Sequence, residues 1–416
     1  FTMKKEYGFN DHNIKRKKPI YYIISDFDGK LIEEFPAGSQ SQWDGGFDEY
    51  QGEYVLIIKV NNFSNTLNNM IFMHKFNERV LEDLQNNKVK LCFYAEEGGA
   101  QDSVLNVGLY KFLSEQLVSA NIDEKNIFYS DSNLIIESEF KKHYPNSKIN
   151  VFSHYWQCWR YLYSQNKILS VDDFLKTKSV NRDKHFLSYN RSPHTHRCAT
   201  IVDIFENKLH EKSILSFPSE LEGVQGNKFS IQNEVDKFYT QDNYKSELIN
   251  DLHNHLPFIA DVKNIFTEDN VWDSVVIESS FFNTYFSLVV GTMFEDYEEE
   301  NPYTIFMSEK IYKALTSFHP TIYMGNMGSL KKLKEMGFKT FHPFIDESYD
   351  KEPNRVKRFE MIMKEVNKLC NMKLSELHDL YWSMSDVLIH NHNVYYNKVV
   401  PFCENKMKHI TYEIMK

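Results

Sequence analysis

Short apolar runs alternate with longer amphipathic stretches along this chain, and that alternation constrains its fold more than any other feature. Residues 20–25, 54–60 and 89–94 are almost continuously apolar, as expected for strands that are covered on both faces. Residues 67–85, between the second and third of these runs, instead place apolar side chains at helical spacing. Strands that alternate with helices predict right-handed βαβ crossovers, and therefore an α/β fold with mostly parallel sheets.

The length of the chain predicts two domains. Its 416 residues exceed what one ordinary hydrophobic core supports, and a polar stretch near residue 170 suits a crossover between domains. We predict an N-terminal Rossmann-like domain at 3–170, and a second one at 171–397 that ends in helices. Residues 398–416 are expected to form a terminal helix that returns toward the N-terminal domain. Ligands bind outside the carboxyl ends of strands in open α/β sheets, so the two doubly wound domains are expected to face a cleft.

Composition and charge exclude several classes of protein. A hydrophobic content of 42% argues against disorder, and a net charge of −10 disfavours broad attraction to nucleic-acid or lipid phosphates. The most apolar long stretch, residues 274–294, contains Glu278 and Asn283, so we expect no membrane span. No secretory signal is recognisable, and the five scattered cysteines are expected to be reduced thiols. These features predict a soluble cytoplasmic protein, in the host cytoplasm if the source is viral.

A lysine stands in an unusual place at residues 305–325. Ser308 is a good helix N-cap, Glu309 suits the first turn, and the helix ends before Pro320 and a buried strand at 321–324. Lys310 therefore lies in the first turn, beside backbone N–H groups that already favour an anion. A cation there is best explained by a bound phosphate. The alternative is an ordinary surface lysine.

A second basic segment lies at residues 184–197. Residues 185–189 read as a strand, which is followed by a polar turn with Pro193 and by the start of a helix. Arg191 falls in the turn and Arg197 in the first helical turns. Two guanidinium groups at a strand-to-helix junction suit a diphosphate, because each planar group holds two oxygens. The alternative is a pair of solvated arginines or a local salt bridge.

Four segments together resemble the fucosyltransferase-like glycosyltransferases of microbes and viruses. They are FLSYNRSPHTHR (186–197), FMSEKIYKAL (306–315), GSLKKLKEMGFKTF (328–341) and DESYD (346–350). The Ser-Glu-Lys element is similar to the Thr-Glu-Lys of α1,3-fucosyltransferases, whose lysine contacts the donor diphosphate. The resemblance covers under half of the chain, and it implies the two-domain fold called GT-B.

The resemblance also implies an activity and a set of donor-binding residues. The expected reaction moves a sugar from a nucleoside-diphosphate sugar to an acceptor hydroxyl, on a glycan rather than on DNA. The donor-binding residues would be Asn190, Arg191, Arg197, Ser308, Glu309, Lys310 and Lys313. The chain departs from the family at Gly291, where a glutamate commonly precedes Thr292. Glu278, Glu295 and Asp296 are candidate substitutes for that glutamate.

Two glutamates are candidates for acceptor chemistry. Glu96 and Glu97 follow the strand at 89–94 and precede a Gly-Gly turn, which would present one of them to the cleft. A glycosyl transfer needs a base for the acceptor proton, and a neighbouring carboxylate raises the pKa of such a group. A solvated acidic loop is the competing interpretation. His154, His194 and His196 are weaker candidates for the base.

Other functions remain open from the sequence. Asp26-Phe-Asp28 after the first strand resembles the start of haloacid-dehalogenase phosphatases, although Lys30 replaces the usual threonine. A glycosyltransferase acting on hydroxymethylated bases of viral DNA is another alternative, which the negative charge disfavours. A sugar-nucleotide or glycan-binding module without catalysis is a third. We expect no metal and no cofactor beyond the nucleotide sugar.

Overall fold

The structure, a computed structural model, divides into two compact units. The first comprises Phe1–Trp156 and Phe402–Lys416, and the second comprises Gln157–Pro401. The residues that it describes are 20–25, 31–32, 52–60, 78–95, 104–155, 157–158, 161, 169–190, 192–220, 229–260, 278–294 and 304–416.

A six-stranded sheet forms the centre of the first unit. Its strands are β1 (Ile20–Ser25), β2 (Leu31–Ile32), β3 (Tyr54–Val60), β4 (Val89–Ala95), β5 (Ile127–Asp131) and β6 (Asn150–Ser153). They lie in the order β2-β1-β3-β4-β5-β6, with β2 antiparallel to β1 and the other neighbours parallel. Helices α1 (Glu78–Gln85), α2 (Val107–Ser119) and α3 (Ile136–His143) lie in the crossovers between β3 and β6.

Alternation along β3 builds two hydrophobic layers, which explains why its sequence is apolar at every position except Lys59. Leu56 and Ile58 belong to the layer that also contains Leu84, Leu117 and Phe140 of the three helices. Val55 and Ile57, which alternate with them along the strand, belong to the layer on the opposite face. That second layer contains Val55, Ile57, Cys92, Tyr94, Phe128, Met407, Ile410, Ile414 and Met415.

The second unit contains a four-stranded parallel sheet whose strand order reverses direction once. Its strands are β7 (Lys184–Tyr189), β8 (Ser213–Ser216), β9 (Thr284–Val290) and β10 (Thr321–Met324). The order is β10-β9-β7-β8, so β8 pairs with one edge of β7 and β9 with the other. Ligands of open α/β sheets bind at the carboxyl ends of strands where such a reversal occurs. The ends of β7 and β9 are therefore the expected binding position.

Ten helices are described around this sheet and after it. They are α4 (Val171–Lys176), α5 (Thr195–Glu206), α6 (Ile231–Tyr239), α7 (Ser246–His253), α8 (Glu278–Phe282), α9 (Glu309–Thr316), α10 (Ser329–Glu335), α11 (Arg355–Cys370), α12 (Leu374–Ser383) and α13 (Ser385–Val394). The amphipathic pattern at 373–390 predicts one helix, and the structure has two. The interruption is at Met384, where φ −92° and ψ 3° leave the α-helical region.

The last helix, α14 (Val400–Met415), packs on the sheet of the first unit. Met407, Ile410 and Ile414 lie in the layer formed by the second face of that sheet. Lys406 adds an ion pair, with its Nζ 2.5 Å from the carboxylate of Glu137 in α3. Burial of apolar surface therefore holds the end of the chain against strands that lie far earlier in the sequence.

The α/β class with parallel sheets and C-terminal helices is confirmed. Each described sheet has helices in its crossovers, as the alternation of strand and helix patterns predicts. Among the described helices, none combines the length and the hydropathy that crossing a membrane requires.

Candidate active site

Several predicted site residues lie outside the part of the chain that the structure describes. They are Arg191 of the predicted donor set, Glu96 and Glu97 of the predicted catalytic pair, and the alternatives Asp26, Asp28, Glu295 and Asp296. The described donor-set residues are Asn190, Arg197, Ser308, Glu309, Lys310 and Lys313. All of these belong to the second unit.

Asn190 directly follows β7 and is 3% exposed. Its backbone N–H donates to the carbonyl of Ser216 at 2.8 Å, which fixes the turn against the end of β8. Its side-chain Nδ2 lies 3.0 Å from the Oγ of Ser188. The asparagine is thus held at the carboxyl edge of the sheet, beside the reversal between β7 and β9.

The start of α5 is joined to the end of β9 through one carbonyl oxygen. The guanidinium of Arg197, buried at 2% exposure, donates to the Gly291 carbonyl at 2.9 Å and to the Ser192 carbonyl at 3.1 Å. The Nε2 of His196 lies 3.0 Å from the same Gly291 oxygen and must donate to it. Arg197, predicted as a phosphate ligand, therefore also holds the framework of the site.

Packing around Gly291 leaves little room for a side chain at this position. A Cβ atom at this position would lie 3.0 Å from the Oη of Tyr323 and 3.1 Å from the carbonyl of Met324. Both distances are shorter than ordinary van der Waals contact, and one of the two neighbours is backbone. A larger side chain would therefore need β10 to shift.

The start of α9 carries a hydroxyl that does not cap the helix. Ser308 occupies the predicted N-cap position, but its side chain makes no capping hydrogen bond. Its Oγ is buried and has no hydrogen-bond partner in the described part of the chain. Glu309 and Lys310 form an ion pair at 3.2 Å, and Lys313 lies one turn further along the helix. Because buried polar groups are rarely left without partners, Ser308 is a candidate ligand-binding group.

His194 lies in the electrostatic field of cations from both predicted motifs. The pKa of His194 is lowered to about 3, first by burial and then by the charges of Arg197 and Lys310. Its ring is stacked on that of His196, whose pKa burial and Arg197 also lower well below its ordinary value. Charges from the starts of α5 and α9 thus act on one neutral imidazole.

Arg358 is a buried cation that the sequence analysis did not place in the site. It lies in the first turn of α11, is 1% exposed, and donates through Nη1 to the carbonyl of Glu352 at 2.6 Å. Its guanidinium lies 4.4 Å from the ring centroid of Phe294, and its charge also lowers the pKa of His196. The signal in the sequence was a basic residue early in a helix, the same pattern that pointed to Lys310.

His154 belongs to the first unit, whereas the groups described above belong to the second. Its Nε2 is 2.7 Å from the carbonyl of Ala95, and its ring stacks on Tyr94 with centroids 4.6 Å apart. Because a carbonyl only accepts, Nε2 carries the proton in that bond. Glu96 and Glu97 of the predicted catalytic pair follow Ala95 in the sequence and lie outside the described residues.

Cysteines and potential metal ligands occur at several places in the described ranges. All five cysteines are buried. Within those ranges, no group of three or more His, Cys, Asp or Glu side chains is arranged to hold a metal ion.

The two parallel sheets with their crossover helices define an α/β protein with two Rossmann-like units. A scan of known protein families finds no match to the chain, and neither does a search of curated proteins. The fucosyltransferase-like resemblance therefore stays a prediction.

Several solved structures align with the chain at low scores. Trehalose-6-phosphate synthase from E. coli, bound with UDP-2-fluoro glucose, aligns at a TM-score of 0.41 and 11% identity, over 85% of this chain and 74% of that one. The UDP-forming α,α-trehalose-phosphate synthase from Burkholderia xenovorans, in complex with glucose-6-phosphate, aligns at 0.42 and 11%, over 87% and 73%. The N-terminal domain of Candida albicans trehalose-6-phosphate phosphatase aligns at 0.42 and 9%, over 88% and 71%. Scores at this level carry no conclusion about activity.

Proposed function

We propose that the chain is a glycosyltransferase that moves a sugar from a nucleoside-diphosphate sugar to an acceptor hydroxyl. The observation that carries the proposal is the pair of helix starts that present Arg197 on α5 and Ser308 and Lys310 on α9, where the buried Oγ of Ser308 has no hydrogen-bond partner in the described part of the chain. These groups lie at the starts of α9 and α5, next to the reversal of strand order between β7 and β9. This is the position at which open α/β sheets bind nucleotides.

The chemistry of these groups favours an anion with several oxygens. Neither His194 nor Ser308 caps its helix with its side chain, so neither competes with an anion for the first-turn N–H groups. Lys310 adds a full positive charge, and the buried Oγ of Ser308 adds a hydrogen-bonding group. A diphosphate supplies the oxygens that these donors need.

The same groups would also lower the barrier to sugar transfer. The diphosphate gains negative charge as its bond to the sugar breaks, and fixed cations stabilise that charge more in the transition state than in the ground state. The binding site would in this way contribute to catalysis. Glu96 and Glu97 stay the proposed candidates for the base that accepts the proton of the acceptor hydroxyl.

The proposed acceptor is a glycan. A net charge of −10 opposes approach to duplex DNA, where binding normally depends on a surface rich in lysine and arginine.

A donor scan tests the proposal. Purified protein is incubated with UDP-, GDP-, ADP- and dTDP-sugars, and the release of nucleoside diphosphate is measured with and without a panel of oligosaccharides. We expect release from one nucleotide class, accelerated by an acceptor. Tight binding of a nucleotide sugar without release for any acceptor would contradict the proposal and favour a non-catalytic binding module.

A further inference from the structure

The hydroxyl proton of Ser188, near the end of β7, is already used in a hydrogen bond. The Oγ of Ser188 lies 2.9 Å from the carbonyl oxygen of Leu288 in β9. A carbonyl oxygen only accepts hydrogen bonds, so the hydroxyl must donate its single proton there. Any further partner of Ser188 must therefore be a donor.

This hydrogen bond determines the orientation of the Asn190 amide. The amide atom that lies 3.0 Å from the Oγ of Ser188 has to be the NH₂ group, because an oxygen there would meet an oxygen with no proton to give. The assignment of nitrogen and oxygen in the side chain, often ambiguous, follows here from the hydrogen bonds. The Oδ1 of Asn190 then points away from Ser188.

The Oδ1 of Asn190 is an acceptor without a donor. It is buried, and no described residue gives it a hydrogen bond. It lies where β7 ends, at the reversal of strand order, and Arg191 follows it in the chain. A buried acceptor without a partner destabilises the fold unless a bound molecule supplies the missing donor.

We propose that Asn190 recognises a hydroxyl group of the bound nucleotide sugar, on its ribose or on its sugar, and does not bind the diphosphate. The inference rests on the proposed function for the identity of the ligand. It makes the role expected for Asn190 more specific. The family resemblance places Asn190 among the donor-binding residues but does not say whether it contacts the diphosphate or a sugar ring of the donor. Phosphate oxygens are acceptors at neutral pH and repel another acceptor, whereas a hydroxyl group donates.

The test compares two variants across ligands that differ in their hydroxyl groups. Asn190→Leu removes the acceptor at similar volume, and Asn207→Leu at the exposed end of α5 is the matched control. Affinities are measured by calorimetry for inorganic pyrophosphate, UDP, GDP, UDP-glucose and GDP-mannose. Deoxy and deoxyfluoro analogues of the ligand that binds best complete the set, since fluorine accepts but does not donate.

We expect Asn190→Leu to weaken the best nucleotide ligand by about tenfold and to leave pyrophosphate affinity within about twofold, since one hydrogen bond is lost. One deoxy analogue should bind the wild-type protein about tenfold more weakly than its parent. That analogue should bind wild type and Asn190→Leu equally well. The Asn207→Leu control should match wild type throughout.

Two results would overturn this inference and leave the proposed function intact. One is an equal loss of pyrophosphate affinity and nucleotide affinity in Asn190→Leu. The other is that the wild-type protein binds every deoxy analogue as tightly as the parent ligand, and this measurement does not depend on whether the variant folds. Failure of wild type to bind any of these probes, pyrophosphate included, would overturn the proposed function and this inference with it.

Discussion

Lys310 combines two features that rarely occur together at the start of a helix. It is a cation in the first turn of α9, against the preference of the helix dipole, and its Nζ lies 3.2 Å from the carboxylate of Glu309. Its charge also reaches His194. In the proposed function, Lys310 lies where a leaving diphosphate would gain charge.

We predict that Lys310→Ala lowers kcat/KM for sugar transfer by about a hundredfold to a thousandfold, or roughly 3 kcal/mol, as for other groups that stabilise transition-state charge. Steady-state kinetics with the active donor measures the effect. Lys332→Ala on α10 is the control and should leave kinetics unchanged. Equal donor affinity and turnover in Lys310→Ala and wild type would rule out this role.

The burial of His319 is expected to lower the free energy of unfolding in acid. His319 is fully buried, with Nδ1 2.8 Å from the Oγ of Ser287 and Nε2 2.7 Å from the Phe281 carbonyl. Burial first, and then the charge of Arg182, lower its pKa to about 3. The unfolded chain therefore binds more protons between about pH 6.5 and pH 3, and folding stability falls as the pH falls through that window.

We predict that this histidine accounts for about 2 kcal/mol of the stability lost between pH 7 and pH 5. Urea unfolding of wild type and His319→Gln at both pH values tests the prediction. The variant is expected to be less stable at pH 7 but to lose about 2 kcal/mol less on acidification. The same loss in both proteins would contradict the assignment, because the other buried histidines are common to them.

At the scale of elements, α11 shows what the sequence predicts well. The sequence pattern at 354–371 predicts a helix, which is observed as Arg355–Cys370. Asn354 caps it by accepting a hydrogen bond from the Lys357 N–H at 3.0 Å. The first turn of this helix carries Arg358, so the cap that fixes this turn also fixes a buried cation whose charge lowers the pKa of His196. Cap residues and apolar spacing are local signals, and local signals can be read from a sequence.

We expect Asn354→Ala to lower the free energy of unfolding by about 1 kcal/mol, the usual value of such a cap. Asn371→Ala at the exposed other end of the helix is the matched control, and its effect should be within about 0.5 kcal/mol. Chemical denaturation followed by circular dichroism measures both. Similar losses in the two variants would show that the side-chain cap contributes nothing specific.

Other elements could not be predicted, and the reasons are physical. Ser308 has the residue type and position of a cap, yet its hydroxyl does not cap α9. Arg358 comes within reach of His196 only through tertiary packing, which local spacing does not encode. The break at Met384 occurs inside a continuous amphipathic pattern, and we find no sequence signal for it.

At the scale of the whole molecule, alternation of strand and helix patterns was sufficient to predict two parallel α/β sheets. The strand order that puts the end of β7 beside that of β9 was not predictable from spacing, because it depends on long-range pairing. That order brings Arg197 against the carbonyl of Gly291. The start of α5 therefore meets the end of β9 for a reason that only the sheet topology supplies.

The charge distribution of the site predicts transfer without a divalent metal. Lys310, Arg197 and two helix N-termini can neutralise a diphosphate in the way that a metal ion does in other enzymes. Turnover should be the same in EDTA as in Mg²⁺ or Mn²⁺. Loss of turnover in EDTA and its recovery with either metal would contradict this and make Asp26 and Asp28 the candidate ligands.

The most direct test of the account is transfer of an isotopically labelled sugar, followed by mass spectrometry of the acceptor. The labelled donor identified in the scan is offered to a glycan panel and to DNA containing hydroxymethylcytosine, with wild type and Lys310→Ala in parallel. The account predicts label on a glycan with wild type and a large reduction with Lys310→Ala. Label on DNA alone would contradict the proposed acceptor, and transfer that is undiminished in Lys310→Ala would contradict the proposed donor site.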